Sequence, residues 1–315
     1  MAKTQERALI SVTTPLGADV LLLTSFKGRE ELSRLFHYQL DMLSENQSIA
    51  ATDIVGKAVT WVVQGKDRDP RYFNGVVSRF VAGGLQTREL RHYRAEVVPW
   101  LWFLTRTADC RIFQNKTTKQ IIEQIFSDLG FSDYEDSSVQ AATVREYCVQ
   151  YRETDFDFIS RLMEEEGIFY FFRHENGKHT LVLADQVSAY KDCTENQVDF
   201  SGGSHLDGYV TRWEHGYEFR TGKWTQTDYN FETPSTSLST NTTTVMPLAS
   251  TKKYEVYDYP GRYMKTADGT KLTKLRMETD EAAYEVAAGA STCATFTLGG
   301  KFSLKRHEVD AEAGP

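Results

Sequence analysis

Short runs of apolar side chains, separated by turn-forming residues, make up the first hundred residues of the chain. Ala8–Thr14 and Val20–Phe26 lie on either side of the turn signal Pro15-Leu16-Gly17. Runs of the same kind follow at Phe36–Leu43, Val55–Val63, Arg71–Val81 and Tyr93–Leu104. Several short strands at this spacing are typical of a β-barrel or a β-sandwich.

Two segments in the middle of the chain have helical periodicity. Thr117–Leu129 places its apolar residues on one helical face, and Gly130 stands where a C-terminal cap belongs. A second helix starts at Thr154, whose side chain can accept a hydrogen bond from the amide of Asp157 in a capping-box pattern. Gly167 ends this helix. The two apolar stripes are Ile121, Ile122, Ile125 and Phe126, and Phe158, Ile159, Leu162 and Met163.

A β-hairpin is predicted directly after the second helix. Asn176-Gly177 separates the apolar runs Ile168–Arg173 and Thr180–Ala184. Asn-Gly favours a type I′ turn, because both central residues need positive φ. The register of that turn pairs Glu175 with Lys178, Phe172 with Leu181 and Tyr170 with Leu183. Both faces of the hairpin are apolar, so other parts of the protein must cover each of them.

The last third of the chain returns to strand patterns. In Tyr209–Phe219 an aromatic, Thr or His side chain occupies every second position, which predicts a long half-buried strand. Thr221-Gly222 then turns the chain into a further strand at Lys223–Phe231. Nine of the twelve residues in Thr233–Thr244 are Ser or Thr, which indicates an exposed loop.

A third helix is predicted at Leu272–Ala288, with Gly289 as its end. Its expected buried positions are Leu272, Leu275, Ala282, Ala283 and Val286. Phe302–Leu304 predicts a strand, and the sequence stops soon afterwards at Pro315. An end so close to a strand of a β-rich domain suggests a fragment of a longer protein.

The composition argues against nucleic acid or a membrane surface as a partner. Of the 315 residues, 40% are hydrophobic and 25% are charged, and the formal net charge is −8. A chain of this charge has no overall attraction for polyanions or anionic lipid. The 18 Phe and 16 Tyr residues favour strands over helices.

Cysteine spacing and the N-terminus indicate a protein that folds in the cytoplasm. Cys110, Cys148, Cys193 and Cys293 have neither zinc-site nor disulfide-framework spacing, so we expect reduced thiols. Met1–Arg7 is not followed by the apolar stretch of a secretory signal, and no apolar run is long enough to span a bilayer. We therefore expect no stable membrane anchor, and any export must use a route that needs no signal peptide.

The motifs of common enzyme classes are absent from the sequence. GxxxxGK[ST], GxGxxG, GxSxG and HExxH do not occur. Glu164-Glu165-Glu166 supplies carboxylates, but consecutive helical side chains point in different directions, which favours a solvated or interface-facing cluster over a catalytic one. His174 and His179 face each other across the hairpin without an identifiable third ligand, so solvated histidines are favoured over a metal site. We predict no catalytic, cofactor-binding or metal-binding residues.

The apolar segment Pro99–Leu104 admits two interpretations. A segment that wedges into lipid is conceivable, but its flanking charges do not form a membrane-span pattern. A buried strand at a domain junction is the favoured interpretation.

The centre of the chain carries a recognisable signature, Gln150-Tyr151-Arg152-Glu153-Thr154-Asp155 followed by Phe158–Tyr170. Other matching segments lie on both sides of it: Gly28, Leu35, Phe36 and Tyr38, then Pro99–Trp102, Asp109–Gln114, Tyr257–Gly261 and Phe302–His307. In this order they resemble the VgrG family, the trimeric spike of bacterial type VI secretion systems. The resemblance extends over nearly the whole chain.

The resemblance implies a relative of the phage baseplate hub with an α+β, β-rich fold. Such hubs have two small β-barrel, tube-like domains with an inserted α/β segment. The implied boundaries are residues 1–105 for the first barrel, 106–200 for the insertion and 201–315 for the second barrel, which contains a helix and is expected to be truncated at its C-terminus. The implied partners are two further copies in a homotrimer, the tube protein Hcp, and effector or adaptor proteins. The implied route is assembly in the cytoplasm followed by secretion.

The chain also departs from the family pattern. VgrG proteins continue into an oligonucleotide-fold spike domain and a needle-like β-helix, and these are missing here, so that puncturing and any toxin activity lie outside these residues. The alternative function is that of a phage-tail-like glycan or peptidoglycan hydrolase. That function requires a cleft with two carboxyl groups about 5–9.5 Å apart and a perturbed pKa.

Overall fold

The structure is a computed structural model that describes residues 3–65, 69–87, 89–140, 143–203 and 206–314. Eighteen strands and three α-helices form within these ranges, so the protein is β-rich as predicted. The described residues divide into two compact units. The first unit contains Met1–Glu164, Ile168–Asn196 and Ala294–Phe302, and the second contains Glu165–Gly167, Gln197–Cys293 and Ser303–Pro315.

The first six strands form one antiparallel sheet in the first unit. They are β1 (Ile10–Thr13), β2 (Leu22–Arg29), β3 (His37–Ser44), β4 (Ala58–Val63), β5 (Arg71–Leu85) and β6 (Arg91–Val98). Their order in the sheet is β1-β4-β5-β6-β3-β2. The two edge strands, β1 and β2, also contact each other. The sheet is therefore a nearly closed barrel, and the strands predicted for this part of the chain are confirmed with shifted ends.

A glutamine side chain joins the two edge strands where backbone pairing is missing. Gln5 Nε2 donates hydrogen bonds to the carbonyl oxygens of Val12 and Leu21 at 3.2 and 3.1 Å. Gln5 Oε1 accepts from the backbone N–H groups of Val12 and Leu23, both at 3.0 Å. The Gln5 side-chain amide thus replaces backbone hydrogen bonds between the two strands. It satisfies backbone groups that an open sheet edge would leave unpaired.

The middle of the chain adds two helices and five strands to the first unit. They are β7 (Ala108–Thr117), α1 (Thr118–Asp128), β8 (Tyr134–Ser138), β9 (Val144–Thr154), α2 (Asp155–Glu166), β10 (Phe169–Glu175) and β11 (Lys178–Ala184). β7 and β9 pair as a two-stranded ribbon, and β10, β11 and β8 form a three-stranded sheet. The side chains of α1, α2 and the hairpin join those of the barrel in one hydrophobic core.

Both predicted helices of this region are confirmed, including their buried faces. The eight predicted apolar side chains of α1 and α2 are at most 2% exposed. Thr154 Oγ1 accepts from the amide of Asp157 at 3.0 Å, as the capping pattern predicts. The Thr117 side chain caps α1 in the same way, by accepting a hydrogen bond from the backbone N–H of Gln120. Gly130 and Gly167 follow the helices with φ of +77° and +72°, a conformation that glycine adopts without strain.

The hairpin prediction is also confirmed. β10 and β11 pair Glu175 with Lys178, and the predicted register continues to the end of both strands. One face of the hairpin, with Tyr170 and Leu181, packs into the core of the first unit. Phe171 and Val182 on the opposite face are buried as well. Both apolar faces are therefore covered.

The strand predicted at Tyr93–Leu104 is wrong in its second half. β6 ends at Val98, and a 3-10 helix, Trp100–Arg106, follows. Pro99 has no N–H to donate to a sheet ladder, so the strand stops before it. Trp100, Leu101 and Leu104 are buried in the core of the first unit, which rules out a lipid-wedging role for this segment.

The rest of the chain contains the remaining strands and one helix. They are β12 (Lys191–Phe200), β13 (Tyr209–Tyr217), β14 (Lys223–Gln226), β15 (Thr240–Thr243), β16 (Glu255–Asp258), α3 (Thr266–Glu281), β17 (Glu285–Ser291) and β18 (Gly300–Arg306). One sheet has the order β17-β13-β12-β18, and another has the order β15-β14-β16. The strand predicted at Phe302–Leu304 is confirmed within β18.

The helix predicted at Leu272–Ala288 is wrong in position. α3 begins at Thr266 without a side-chain cap, so the capping signal that marks α1 and α2 is missing at its start. Its buried residues are Gly269, Thr273 and Met277. The predicted C-terminal half instead forms β17, which pairs with β13 and leaves Val286 half exposed. Alanine has the highest helix propensity, but intrinsic propensity is a weak preference, and pairing with a distant strand overrides it here.

Three further expectations for the last third need correction. β13 ends at Tyr217, so Phe219 lies beyond it. β14 ends at Gln226 and does not continue toward Phe231. The Ser/Thr-rich segment is not simply an exposed loop, because it contains β15 and the buried Leu238. Threonine favours strands when a neighbouring strand is available, as β14 is here.

Candidate functional site

The two hairpin histidines are buried, which corrects the prediction that they are solvated. His174 and His179 lie opposite each other, with ring centroids 6.3 Å apart. The backbone N–H of Trp100 donates to His179 Nε2 at 2.9 Å, so this nitrogen carries the lone pair. His179 Nδ1 therefore carries the proton and donates it to Asn74 Oδ1 at 2.7 Å. His179 is thus a neutral imidazole with both nitrogens in use.

Asn74 connects this histidine to the barrel. Its Nδ2 donates to Thr60 Oγ1 at 2.8 Å and to the carbonyl oxygen of Val59 at 3.2 Å. Burial, together with the charge of His174, lowers the pKa of His179 to about 3. The folded protein therefore keeps His179 uncharged at neutral and mildly acidic pH.

The second histidine contacts a buried carboxylate. His174 Nε2 lies 2.7 Å from Glu30 Oε1, and the Tyr38 hydroxyl also donates to Glu30. Burial alone would raise the pKa of Glu30, but the hydrogen bonds and charges of His174, Tyr38 and Arg71 outweigh it and lower that pKa. The groups that surround Glu30 all come from the folded chain itself, which indicates a structural role for this carboxylate.

The described residues contain no group of three His, Cys, Asp or Glu side chains that could hold a metal ion. A small cleft of about 190 Å³ adjoins His179, Asn74 and Trp100. Neither ring nitrogen of His179 is available to a ligand there, because both are hydrogen-bonded within the protein. That the chain has no catalytic, cofactor or metal residues stays a prediction.

The acidic run at the end of α2 does not form one site. Glu164 is exposed, whereas Glu165 and Glu166 are partly buried. The three side chains thus lie in different surroundings, as expected for consecutive helical positions.

A different carboxyl pair, Glu123 and Asp136, comes nearest to the requirement for a hydrolase. Burial and the hydrogen bond and charge of Asp136 raise the pKa of Glu123, and Lys119 Nζ lies 3.2 Å from Asp136 Oδ1. Glu123 also lines an open groove of about 550 Å³. Because the two carboxyls are hydrogen-bonded to each other, they are closer than the about 5 Å that glycoside hydrolysis needs. This pair therefore lacks the geometry of that chemistry.

The family signature builds a buried polar network beneath the β7–β9 ribbon. Gln150 and Asp155 are 0% and 3% exposed. Asp155 accepts hydrogen bonds from Gln150 Nε2 at 2.7 Å, from the Thr107 hydroxyl at 2.7 Å and from Arg111 Nη2. Arg111 Nε also donates to Gln150 Oε1 at 3.0 Å. The network joins β7, β9 and the first turn of α2.

The opposite face of the same ribbon is exposed and apolar. Successive strand residues point to opposite faces, so the neighbours of Gln150 face away from the network. Cross-strand pairs join Cys110 with Tyr151, Ile112 with Val149 and Gln114 with Tyr147. We call these six residues the outer face. Its Ile, Val and Tyr residues are all exposed. Contiguous exposed apolar side chains of this kind mark interaction surfaces.

This surface was missed by the sequence analysis, although a signal for it was present. Tyr147, Val149 and Tyr151 occupy every second position of β9, which places them on one face of the strand. The sequence could not show which face is buried. Here the polar residue Gln150 points inward and Tyr151 points outward, the reverse of the usual arrangement.

None of the helices among the described residues has the length and apolar content that a membrane crossing requires.

Comparisons with known proteins place these features in a family. Residues 29–314 match the phage tail baseplate hub (GPD) family. The chain is 42% identical over 283 residues to the type VI secretion system spike protein VgrG1a of Pseudomonas aeruginosa, covering 88% of this chain and 43% of that protein. It is 39% identical over 293 residues to VgrG1b of the same organism, covering 90% of this chain and 39% of that protein. The chain thus spans about two fifths of the length of these curated relatives.

The fold has a solved counterpart. It aligns with a TM-score of 0.66 and 19% sequence identity to an Escherichia coli component of the type VI secretion system that is described as similar to the bacteriophage T4 tail proteins gp27 and gp5. The alignment covers 96% of this chain and 68% of that one. The resemblance to VgrG is confirmed: the protein belongs to the phage tail baseplate hub (GPD) family and is similar in sequence to the VgrG spike proteins of type VI secretion systems.

Proposed function

We propose that this chain is the structural hub of a type VI secretion spike. The observation that carries the proposal is the family match over residues 29–314 together with 42% identity to VgrG1a. A hub acts by binding other proteins. The sequence contains none of the enzyme motifs named above, and the Glu123–Asp136 pair lacks the geometry for glycoside hydrolysis, which agrees with this role. In this proposal the chain itself catalyses no reaction.

The proposed architecture has two tube-like barrels and an inserted α/β segment. The nearly closed sheet β1–β6 supplies the first barrel and supports the boundary at residue 105. The insertion, residues 106–200, contains α1, α2 and the hairpin. Residues 201–315 supply the strands and α3 of the second barrel. A subunit with two similar barrels is suited to a threefold ring that meets a sixfold tube.

We propose the outer face as a contact between subunits of a homotrimer. The network of Arg111, Gln150 and Asp155 orders the ribbon from the inside, so the exposed side chains lose little further entropy on binding. Tyr151 and Tyr147 provide the large aromatic surface that is enriched at protein interfaces. A closed ring places the same contact at each of its three boundaries.

The remaining partners follow from the hub role. The proposed trimer docks on the Hcp tube and carries effector or adaptor proteins together with the puncturing spike. It assembles in the cytoplasm and leaves with the tube. Nucleic acid is not a proposed partner, because the formal net charge of −8 gives no attraction for phosphate.

A chimeric spike tests the proposed function. Residues 29–314 replace the matching segment of P. aeruginosa VgrG1a, in a strain that lacks its own VgrG proteins, and released Hcp is measured in the medium. A structural hub with 42% identity should restore Hcp release. A matched chimera that carries L162D should fail to do so, because a charge in the core of α2 unfolds the hub.

Two results would contradict the proposal. One is a well-folded, stably produced chimera that releases no Hcp. The other is reproducible cleavage of peptidoglycan by the isolated chain that is lost in E123Q, since this would show that the carboxyl pair is catalytic.

A further inference from the structure

A β-bulge interrupts the β7–β9 ribbon beside the outer face. The ladder pairs Asp109 with Glu153 and then Cys110 with Tyr151. Arg152, between them on β9, is left over in this register and is the extra residue of the bulge. Its φ is +54°, in the left-handed region where a side chain other than glycine costs free energy. An arginine at this position therefore lowers stability, and backbone strain of this kind is found at functional sites.

The bulge turns the Arg152 side chain toward the outer face. Regular alternation would place it on the inner face with Gln150 and opposite to Tyr151. Instead its guanidinium carbon lies 5.3 Å from the centroid of the Tyr151 ring, within the range of a cation–π contact. Both residues are exposed. A positive charge and an aromatic ring thus lie side by side at the surface.

The guanidinium of Arg152 has no counter-ion in the part of the chain that the structure describes. The acidic residues on either side of the bulge bind other arginines. Glu153 Oε1 accepts from Arg161 Nη2 at 2.7 Å, and Asp109 Oδ2 lies 3.4 Å from Arg111 Nε. Arg152 therefore keeps its hydrogen-bond donors for a carboxylate outside this chain.

The charge of the chain indicates what supplies that carboxylate. The sequence has 44 acidic and 36 basic residues, so a second copy presents more carboxylates than cations. In a closed ring the outer face of one subunit meets a different surface of its neighbour, so Arg152 does not meet its own counterpart. Arginine and tyrosine are also the residue types enriched among those that dominate the energy of an interface.

We propose that Arg152 is the charged anchor of the contact at the outer face, where it binds a carboxylate of a second copy of this chain. The ring of Tyr151 beside it supplies the aromatic surface of the same contact. This inference rests on the proposed trimer contact and names the residue on which that contact depends. The contact is therefore partly electrostatic, and salt weakens it by screening.

Sedimentation equilibrium of the chain tests the anchor. The proposal requires that wild type forms a concentration-dependent trimer, which weakens as NaCl is raised from about 50 to about 500 mM. R152G should associate about fivefold or more weakly, as expected for a residue that dominates an interface, and should lose most of the salt dependence. R152K keeps the charge and should retain the salt dependence.

Thermal unfolding separates the effect on association from an effect on folding. R152G should melt at the wild-type temperature or above it, because glycine relieves the strain at a φ of +54°. If R152G melts lower, R152N takes its place, since asparagine also tolerates this backbone conformation. R262G is the matched control, because Arg262 is exposed and has a φ of +61°, and it should leave association unchanged.

Three results would overturn the proposal. They are a wild-type chain that stays monomeric at about 0.5 mM, equal association of R152G and wild type, and equal losses in R152G and R262G. The hub role would survive each of them if the chimeric spike still released Hcp. Conversely, a chimera that releases no Hcp, together with weaker association of R152G, would contradict the hub role and leave the anchor standing.

Discussion

At the scale of single residues, buried polar side chains of the first unit form hydrogen bonds that join distant elements. Asn74 shows how this is achieved, because its amide links His179 to the barrel strands through Thr60 and Val59. Burying these groups without hydrogen bonds would cost about 1–3 kcal/mol each. The network thus ties the hairpin to the barrel in a single geometry, which apolar contacts alone specify less strictly.

The core side chain Leu162 provides a test of the face assigned to α2. It is 0% exposed, so L162A should lower the free energy of unfolding by about 2–5 kcal/mol through lost burial and a residual cavity. Urea denaturation at constant pH measures the change. L129A is the matched control, because Leu129 is 37% exposed and should lose less than about 1 kcal/mol. Equal losses for the two variants would show that Leu162 is not core.

His179 predicts a pH dependence of stability. Its pKa is about 3 in the folded protein, while the unfolded imidazole binds a proton below about 6.5. The unfolded state therefore binds the extra proton, and stability is highest above pH 6.5 and falls as the pH drops toward 3. This group should contribute a loss of about 2 kcal/mol between pH 6.5 and 4.5.

Denaturation of wild type and H179Q at both pH values measures that contribution. The variant should lose the corresponding part of the pH dependence, whatever its stability at pH 6.5. H37Q, which removes an exposed histidine of the same unit, should keep the wild-type dependence. The assignment of a neutral buried His179 would be wrong if H179Q and wild type changed in parallel.

At the scale of elements, the β7–β9 ribbon has two faces with different roles. The inner face carries Arg111 and Gln150, which bind Asp155 in α2. The outer face carries Ile112 and Tyr151, which are exposed. The inner face thus buries polar side chains beside the core residues Phe113 and Cys148, while the outer face exposes apolar ones. Burying polar groups is costly unless they are paired, and here they form hydrogen bonds with one another.

Asp155 is the acceptor on which this arrangement depends. D155A should cost about 1–3 kcal/mol of folding free energy, because it removes the buried acceptor that Gln150, Thr107 and Arg111 share. D157A is the matched control in the same helical turn, since its exposed carboxylate should contribute about 1 kcal/mol or less. Thermal unfolding of both variants gives the comparison. A smaller loss in D155A than in D157A would contradict the role of the network.

At the scale of the whole molecule, the two units solve the problem of sheet edges in different ways. The first unit almost closes the sheet of β1 to β6, and Gln5 satisfies four backbone groups at its two edges. In the second unit, β17 is an edge strand whose seven residues are all exposed. An uncovered strand edge is a site for pairing with other chains, so β17 gives the second unit an edge at which another strand can pair.

Association of the chain tests the proposed trimer contact. The outer face is small compared with a stable interface, so we predict a monomer or a concentration-dependent trimer for this chain and a stable trimer for a full-length spike. I112E should shift the chain further toward monomer, because it places a charge in the proposed contact. Sedimentation over a range of concentrations measures this. L85E is the matched control, since Leu85 is also an exposed strand residue of the first unit.

Two outcomes would count against the subunit contact. Equal effects of I112E and L85E would show that the outer face is not the interface. A stable dimer, of the chain or of the full-length spike, would contradict a threefold hub.

The sequence by itself determined the elements whose signals are local. Capping at Thr154, glycine after each helix and Asn176-Gly177 in the hairpin act within a few residues, so α1, α2 and the β10–β11 register could be predicted. The signature residues also identified the family. Only the tertiary structure decided where Glu285–Ser291 pairs, that His179 is buried, and which ribbon face is exposed. Each of these depends on partners far away in the chain, and contacts at that separation leave no pattern among neighbouring residues.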